Sequence, residues 1–447
     1  MIKKFLLLSL VVSQLTISCS SDDSSDTKDE TLAEQIANIV KQPYSKLSPA
    51  DQKLKLEAEA NEMLTQLDKS KSSSAIEAIE NLNRLLDLNQ VDIFSGKNDN
   101  KVEDILNISG VYGIYTWNNT EKVWVKTAST TELKFVFPAK STQTANNAIL
   151  SAKGVSSDVK VKYYDGYLSN NNGGQEIYDS IFLPSSSDAT LTIDGTTSAT
   201  FTQTAKYSSK NQSPDEFAYK ITLNDGYTWE MSGKKGAENT SKALFTYNGK
   251  TLVDFNAGST ANIDNLIDND ELIQYRGKAN GLIKLMDNFV IVADMDLATA
   301  AADDAALDKT NLRPVRPAWN QANSDYKAYY TALNAYEKKY SEGSVASFNK
   351  NMKLILVSKK DGTKIADVIQ HSEKEGDDYT FNLPVWNADG GYWSDNGTGE
   401  LFSQPYLEEV LYLKFSDNTE VAMSVYFSEG FDNLQTKFDD FIKAFNK

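Results

Sequence analysis

The chain has 447 residues, with 62 acidic against 45 basic side chains, a net charge of −17, one histidine and one cysteine. Such an acidic surface excludes nucleic acid and anionic lipid surfaces as broad partners. A single His and a single Cys exclude an intrachain disulfide, a Cys-His catalytic pair, zinc sites built on several His or Cys ligands, and bis-histidine haem ligation.

The amino terminus reads MIKKFLLLSLVVSQLTISC, with Lys3 and Lys4 ahead of an apolar run from Phe5 to Val12. The run is shorter than the roughly 20 residues a bilayer span needs, so it reads as a cleaved secretory signal over residues 1–18. The tetrad Thr16-Ile17-Ser18-Cys19 resembles a bacterial lipobox, with Thr16 standing where leucine is usual. That resemblance implies a diacylglyceryl group and further acylation, such as palmitate, on Cys19. Residues 19–30 place Asp22, Asp23, Asp26, Asp29 and Glu30 among serines, a composition that buries nothing and forms a solvated tether. The stretch is similar to the acidic export signal of surface-exposed lipoproteins of the Bacteroidota, which implies an outer-membrane anchor and display at the cell surface. The alternative is a spacer on a lipoprotein facing the periplasm. Loss of residues 1–18 removes Lys3 and Lys4, leaving 62 acidic against 43 basic residues and a net charge of −19.

Residues 31–99 predict a helical hairpin. Ser48 as N-cap, Pro49 at the first helical position and Asp51 in the first turn start one helix, on which Leu56, Ala60, Met63, Leu64 and Leu67 share a face. A second helix is expected from about Ser73 to Leu88, with Ile76, Ile79, Leu82 and Leu86 in phase.

From about Gly110 the period changes from helical to alternating, and residues 100–260 predict a first antiparallel β domain. In SATFTQTAKY, Ala199, Phe201, Ala205 and Tyr207 alternate with hydroxyl and lysine side chains, and Leu133, Phe135, Phe137 behave likewise. Turn signals occur at WNNTEK, at IDGT around Gly195, at NDG before Tyr227 and at NGK before Thr251, and Trp117 and Trp124 flank the first of them as a cross-strand pair. The polar stretch from Asn256 to Asn269 is a candidate boundary to a second β domain over 261–447. There, strands are expected at Leu272–Leu285, Phe289–Met295, Met352–Val357, Lys364–Ile369, Leu407–Phe415 and Thr419–Phe427. A helix is expected at 324–340, carrying tyrosines 326, 329, 330, 336 and 340. A C-terminal helix at 431–446 has Phe431, Leu434, Phe438, Phe441, Ile442 and Phe445 at helical spacing, as a helix docked on a sheet requires. The expected fold class is α+β, mainly antiparallel sheet, open or barrel-like.

Candidate chemistry is sparse. His371, in IADVIQHSEKEG, has no GxSxG elbow to serve, and an exposed histidine beside Glu373 and Glu375 needs no catalytic role. A glycosidase needs only two carboxylates across a sugar site, but no motif distinguishes a pair among 62. Asp264, Asp268, Asp270 and Glu271 form an acidic cluster best read as a solvated helix end or turn. Asp179-Ser180-Ile181 resembles the short O-glycosylation acceptor motif of the Bacteroidota. The most suggestive stretch is FNLPVWNADGGYWSDNGTGELF, which gathers Trp386, Tyr392 and Trp393 with Asn387, Asp389, Asp395 and Asn396 in a glycine-rich loop. Aromatic faces stack on sugar rings while Asp and Asn exchange hydrogen bonds with sugar hydroxyls. The same oxygens could hold Ca²⁺, although their spacing departs from the EF-hand pattern. The alternative is a loop whose tryptophans pack back onto the body of the protein. The sequence therefore leads to a non-enzymatic surface lipoprotein without cofactor or metal, binding a glycan or nutrient destined for an outer-membrane transporter. A structural or adhesive accessory subunit of an outer-membrane complex, and a two-carboxylate glycoside hydrolase, are the competing readings.

Overall fold

The computed structural model describes residues 31–89, 102–170, 173–208, 212–268, 275–286, 289–427 and 436. Cys19, the acidic tether, Asp270, Glu271 and, Thr436 apart, the helix expected at 431–446 lie outside the described residues.

Three helices come first: α1 (Leu32–Val40), α2 (Pro49–Asp68) and α3 (Ser74–Leu88). Their starts follow local chemistry. Thr31 and Glu34 form a capping box, in which each side chain accepts from the other residue's backbone N–H. The Ser48 hydroxyl accepts from the Asp51 N–H at 3.2 Å, with Pro49 in the first turn, and Ser73 caps α3 in the same way. Helix α1 falls inside the stretch expected to be helical but is additional to the two-helix hairpin, which it precedes.

After the short α4 (Val102–Leu106) the first run of strands is β1 (Gly113–Asn118), β2 (Val123–Thr127), β3 (Leu133–Phe137), β4 (Ala148–Asn170) and β5 (Gly173–Ile193). The meander continues with β6 (Thr196–Lys206), β7 (Glu216–Leu223), β8 (Tyr227–Lys234), β9 (Asn239–Tyr247) and β10 (Lys250–Ser259). Next come α5 (Ile263–Asp268), β11 (Ala279–Leu285), β12 (Phe289–Met295), α6 (Leu297–Thr310) and α7 (Tyr326–Asn351). Beyond them lie β13 (Met352–Ser358), β14 (Thr363–Lys374), β15 (Tyr379–Asn382), β16 (Val385–Asn387), β17 (Tyr392–Ser394), β18 (Leu401–Gln404), β19 (Leu407–Lys414), β20 (Glu420–Ala422) and α8 (Met423–Tyr426).

Sixteen of the strands form one open sheet, in the order β2-β1-β3-β4 and onward in sequence to β14, then β19-β20. The fold is thus α+β with a mainly antiparallel open sheet. One pair departs from the antiparallel rule: β3 returns to the free edge of β1 and runs parallel to it, Gly113 opposite Leu133. Two-residue turns at Asp194-Gly195 and Asn248-Gly249 have both residues at positive φ, which matches the twist of the strands they join.

The sheet does not stop at the polar stretch after Asn256. Residues 253–259 of β10 pair with 279–285 of β11 without a break in register. Several expected boundaries also move. The strand beginning at 272 starts at Ala279 instead, the Ala-rich stretch from Leu297 is helical, α7 runs on to Asn351, and the strand expected over 419–427 is only three residues long before α8.

Helices pack along one sheet face. Helix α3 sets Ala78, Leu82 and Leu85 against Tyr115, Phe135, Phe137 and Leu191. On that face α2 places Leu67 against Tyr227 and Leu252, and Leu56 against Phe289, Leu356 and Leu413. The opposite face carries α1, whose Leu32 lies beside Gly258 of β10 and whose Ile36 meets Leu282, Val290, Val292, Ile355 and Val357 of β11–β13.

Candidate functional site

The suggestive loop of the sequence is not irregular. It forms two nested hairpins inserted between β14 and β19, β15 pairing with β18 outside and β16 with β17 inside. The Asn387 side-chain oxygen closes the inner turn by accepting from the N–H groups of Asp389 (3.0 Å) and Gly390 (2.9 Å), and Gly391 supplies positive φ. Asn396 does the same in the connection to β18, accepting from the Thr398 N–H and hydroxyl at 3.1 and 2.7 Å. A Cβ on Gly399 would lie 1.8 Å from the Leu383 carbonyl oxygen, so only glycine fits there.

The hairpins dock on the start of α7 and on the segment that leads into it. Helices α6 and α7 approach closely because Gly343 leaves no side chain in the way of Leu307. The connecting segment is then tied down by three bonds: Asn311 Nδ2 donates to the Tyr336 carbonyl (3.0 Å), the Tyr326 hydroxyl to that of Pro317 (3.3 Å), and the Ser324 hydroxyl to that of Ala318 (2.6 Å). Trp393 joins the two parts. Its backbone N–H donates to the Trp319 carbonyl at 2.7 Å, its indole N–H to the Gln321 carbonyl at 2.8 Å, and its ring lies 5.2 Å from that of Tyr326. Trp386 faces Trp393 across the inner hairpin at 6.0 Å, and Tyr330 packs edge-on against Phe381 at 4.8 Å. Burial pushes the Tyr330 phenol up, with Arg316 working in the opposite direction.

The seven residues singled out by sequence therefore divide by role. Trp386 and Trp393 are half-buried and hold the hairpins to α7, while Asn387 and Asn396 spend their side-chain oxygens on turns. Asp389, Asp395 and Tyr392 are exposed. The most accessible ring of the cluster is one that sequence reasoning missed: Trp319 is 63% exposed and its ring centroid lies 6.2 Å from that of Tyr392. Its signal in the sequence was a tryptophan with no period to belong to, separated by one residue from RPVRP.

Elsewhere the residues considered for chemistry have ordinary partners. His371 lies within β14, which extends past the end expected for it, and its Nε2 is 2.7 Å from Glu420, with its ring edge-on to Tyr412. Hydrogen bonds from Lys414 and then His371 hold the Glu420 carboxyl below its usual range. Glu373 accepts from the Tyr412 hydroxyl, and this bond, with partial burial, raises that phenol. Asp264 pairs with Lys235 at 2.6 Å, and Asp268 closes the six-residue α5. Trp117 and Trp124 are a directly paired cross-strand couple, 5.2 Å apart and edge to face, as their spacing implies. Among the described residues no group of three His, Cys, Asp or Glu is arranged to hold a metal. A small cavity of about 10 Å³, room for one water, lies beside Ile108, Gly154 and the buried Ser187.

In comparisons with known proteins the chain matches no family model, no curated protein and no solved structure.

Proposed function

We propose that the chain is an exported, lipid-anchored binding protein of the outer-membrane surface, and that it engages a glycan through the platform made by Trp319 and Tyr392. The anchor and the address rest on Cys19 and the acidic stretch that follows it. The observation carrying the ligand class is the accessible Trp319 ring beside Tyr392, tied by the Trp393 backbone to a hairpin that also exposes Asp389 and, just past its end, Asp395. An indole face buries the C–H face of a pyranose, and carboxylates at its edge accept from hydroxyls. The platform is shallow, so one sugar unit binds weakly, and a polymer that meets many anchored copies gains avidity.

The test is affinity electrophoresis of the purified chain against soluble polysaccharides. Trp319→Ala should weaken retention at least about tenfold, roughly 1.4 kcal/mol, and Tyr392→Ala by less. Unchanged retention in both variants would remove the platform. Location is checked separately, by Cys19→Ala, which should release the chain from membranes, and by protease treatment of intact cells, which should digest the wild-type chain.

A further inference from the structure

The segment between α6 and α7 carries a second surface, independent of the glycan platform. Leu312 is 76% and Val315 90% exposed, more than the other large apolar side chains of the described residues. Both belong to Leu312-Arg313-Pro314-Val315-Arg316-Pro317, which has no helix or strand hydrogen bonding. Each proline fixes its own φ and drives the arginine before it toward extended backbone, so the strap is preorganised close to a polyproline II conformation. It is held at both ends by the Asn311 and Pro317 bonds described above. Arg313 and Arg316 are two of only four arginines in the chain. Arg313 reaches Glu337 only at 3.9 Å with both side chains largely in water, and Arg316 enters no ion pair among the described residues. An apolar ridge fixed in place between two cations, on a protein of net charge −17, is an unmatched surface.

Its complement is present on the same molecule. Tyr379 and Tyr406 are 52% and 54% exposed with ring centroids 6.4 Å apart, and the Glu375 N–H donates to the Tyr406 carbonyl. Close to these tyrosines along the chain and across the Glu375–Tyr406 backbone bond are the exposed carboxylates of Glu375, Asp377 and Glu408, none of them in an ion pair among the described residues. Aromatic rings with an acidic rim are the chemistry that reads a proline strap flanked by arginines.

We infer that the strap of one chain docks on the Tyr379–Tyr406 patch of a second copy, Pro314, Val315 and Pro317 lying on the tyrosines while Arg313 and Arg316 meet Glu375, Asp377 and Glu408. The contact joins two different patches, so it closes as a two-fold pair only if both copies can engage at once, and otherwise propagates as a chain of copies.

Sedimentation velocity of the purified full chain over an about hundredfold concentration range decides the matter. Wild type should gain mass with concentration and lose it in high salt, as a contact with two arginines requires. Val315→Asp should abolish association, and so should the pair Arg313→Glu with Arg316→Glu. The triple change Glu375→Lys, Asp377→Lys, Glu408→Lys should do the same alone and restore association when mixed with the arginine-reversed chain. All these side chains are exposed, and circular dichroism checks that the fold is retained. A synthetic peptide of residues 311–320 should compete. A wild-type chain that stays monomeric throughout, or association that survives both charge reversals, overturns the proposal. Retention of polysaccharide by the Val315→Asp variant separates it from the glycan reading, which it leaves intact.

Discussion

One register row crosses the sheet and changes character twice. On the face opposite α2 it runs Ala218, Ser232, Lys242 and Asn256 through β7–β10, then Leu282, Val292 and Ile355 through β11–β13, then Asp367, Lys414 and Glu420 through β14, β19 and β20. Position in the sheet is equivalent along this row, yet the side chains are large and apolar only on β11–β13, where Ile36 of α1 packs. A row four residues further along β7–β9 shows the uncovered condition in pure form: Thr190, Thr200, Thr222, Thr228, Thr246 and Thr251 stand in direct cross-strand register over six strands, all at least partly open to water. The lesson is that a strand's composition records what lies on its two faces rather than its place in the sheet. FVIVA in β12 and LILV in β13 are continuous apolar runs because both faces are buried, although the pairing is antiparallel.

Charge placed under α1 is the severest way to break the contrast. Val292 is fully buried against α1, and Val292→Asp should abolish cooperative unfolding or cost more than about 4 kcal/mol, measured by chemical denaturation. Removing the cover instead of the covered residue is milder: Ile36→Ala should cost about 2–4 kcal/mol and raise hydrogen exchange in β12 and β13 while β6–β8 keep their protection. A pH titration sharpens the comparison on the other face. Burial pushes the Tyr219 phenol up to about 12, the Trp229 N–H opposing slightly, so the folded state holds the proton more tightly than the unfolded chain with its ordinary value of 10. That contribution is fully present below about pH 10 and is lost as pH rises toward 12; Tyr219→Phe should flatten this part of the stability profile. The smallest effect belongs to the threonine row, where Thr222→Ala should change stability by no more than about 0.5 kcal/mol.

Much of the β framework was legible because its signals are local. Asp194-Gly195 and Asn248-Gly249 specify their turns, and the alternation around Phe201 specifies a strand with one wet face. The stretch after Asn256 was read as a polar boundary because its side chains are mostly small or polar, although β10 continues to Ser259 and pairs with β11. At the candidate site the sequence marked the aromatic stretch but left open whether its tryptophans face solvent or pack back, and the structure half-buries Trp386 and Trp393 while exposing Tyr392. Trp393 is an anchor because two carbonyls of the α7 approach, 72 and 74 residues away in sequence, happen to accept its N–H groups. Trp319 is the accessible ring because the same docking turns its backbone inward.

By itself, then, the sequence determined the acidic character of the surface, the exclusion of cysteine and histidine chemistry, the helix starts at Ser48 and Ser73, and the antiparallel class of the sheet; each rests on residue types or on spacing within a few positions. Tertiary structure alone decided that the strands join into one sheet of sixteen, that α1 packs on the second face of only a few of them, and which aromatic rings meet water. Those properties depend on which distant element lands on a given face, and solvent access is set by that neighbour rather than by the residue it covers.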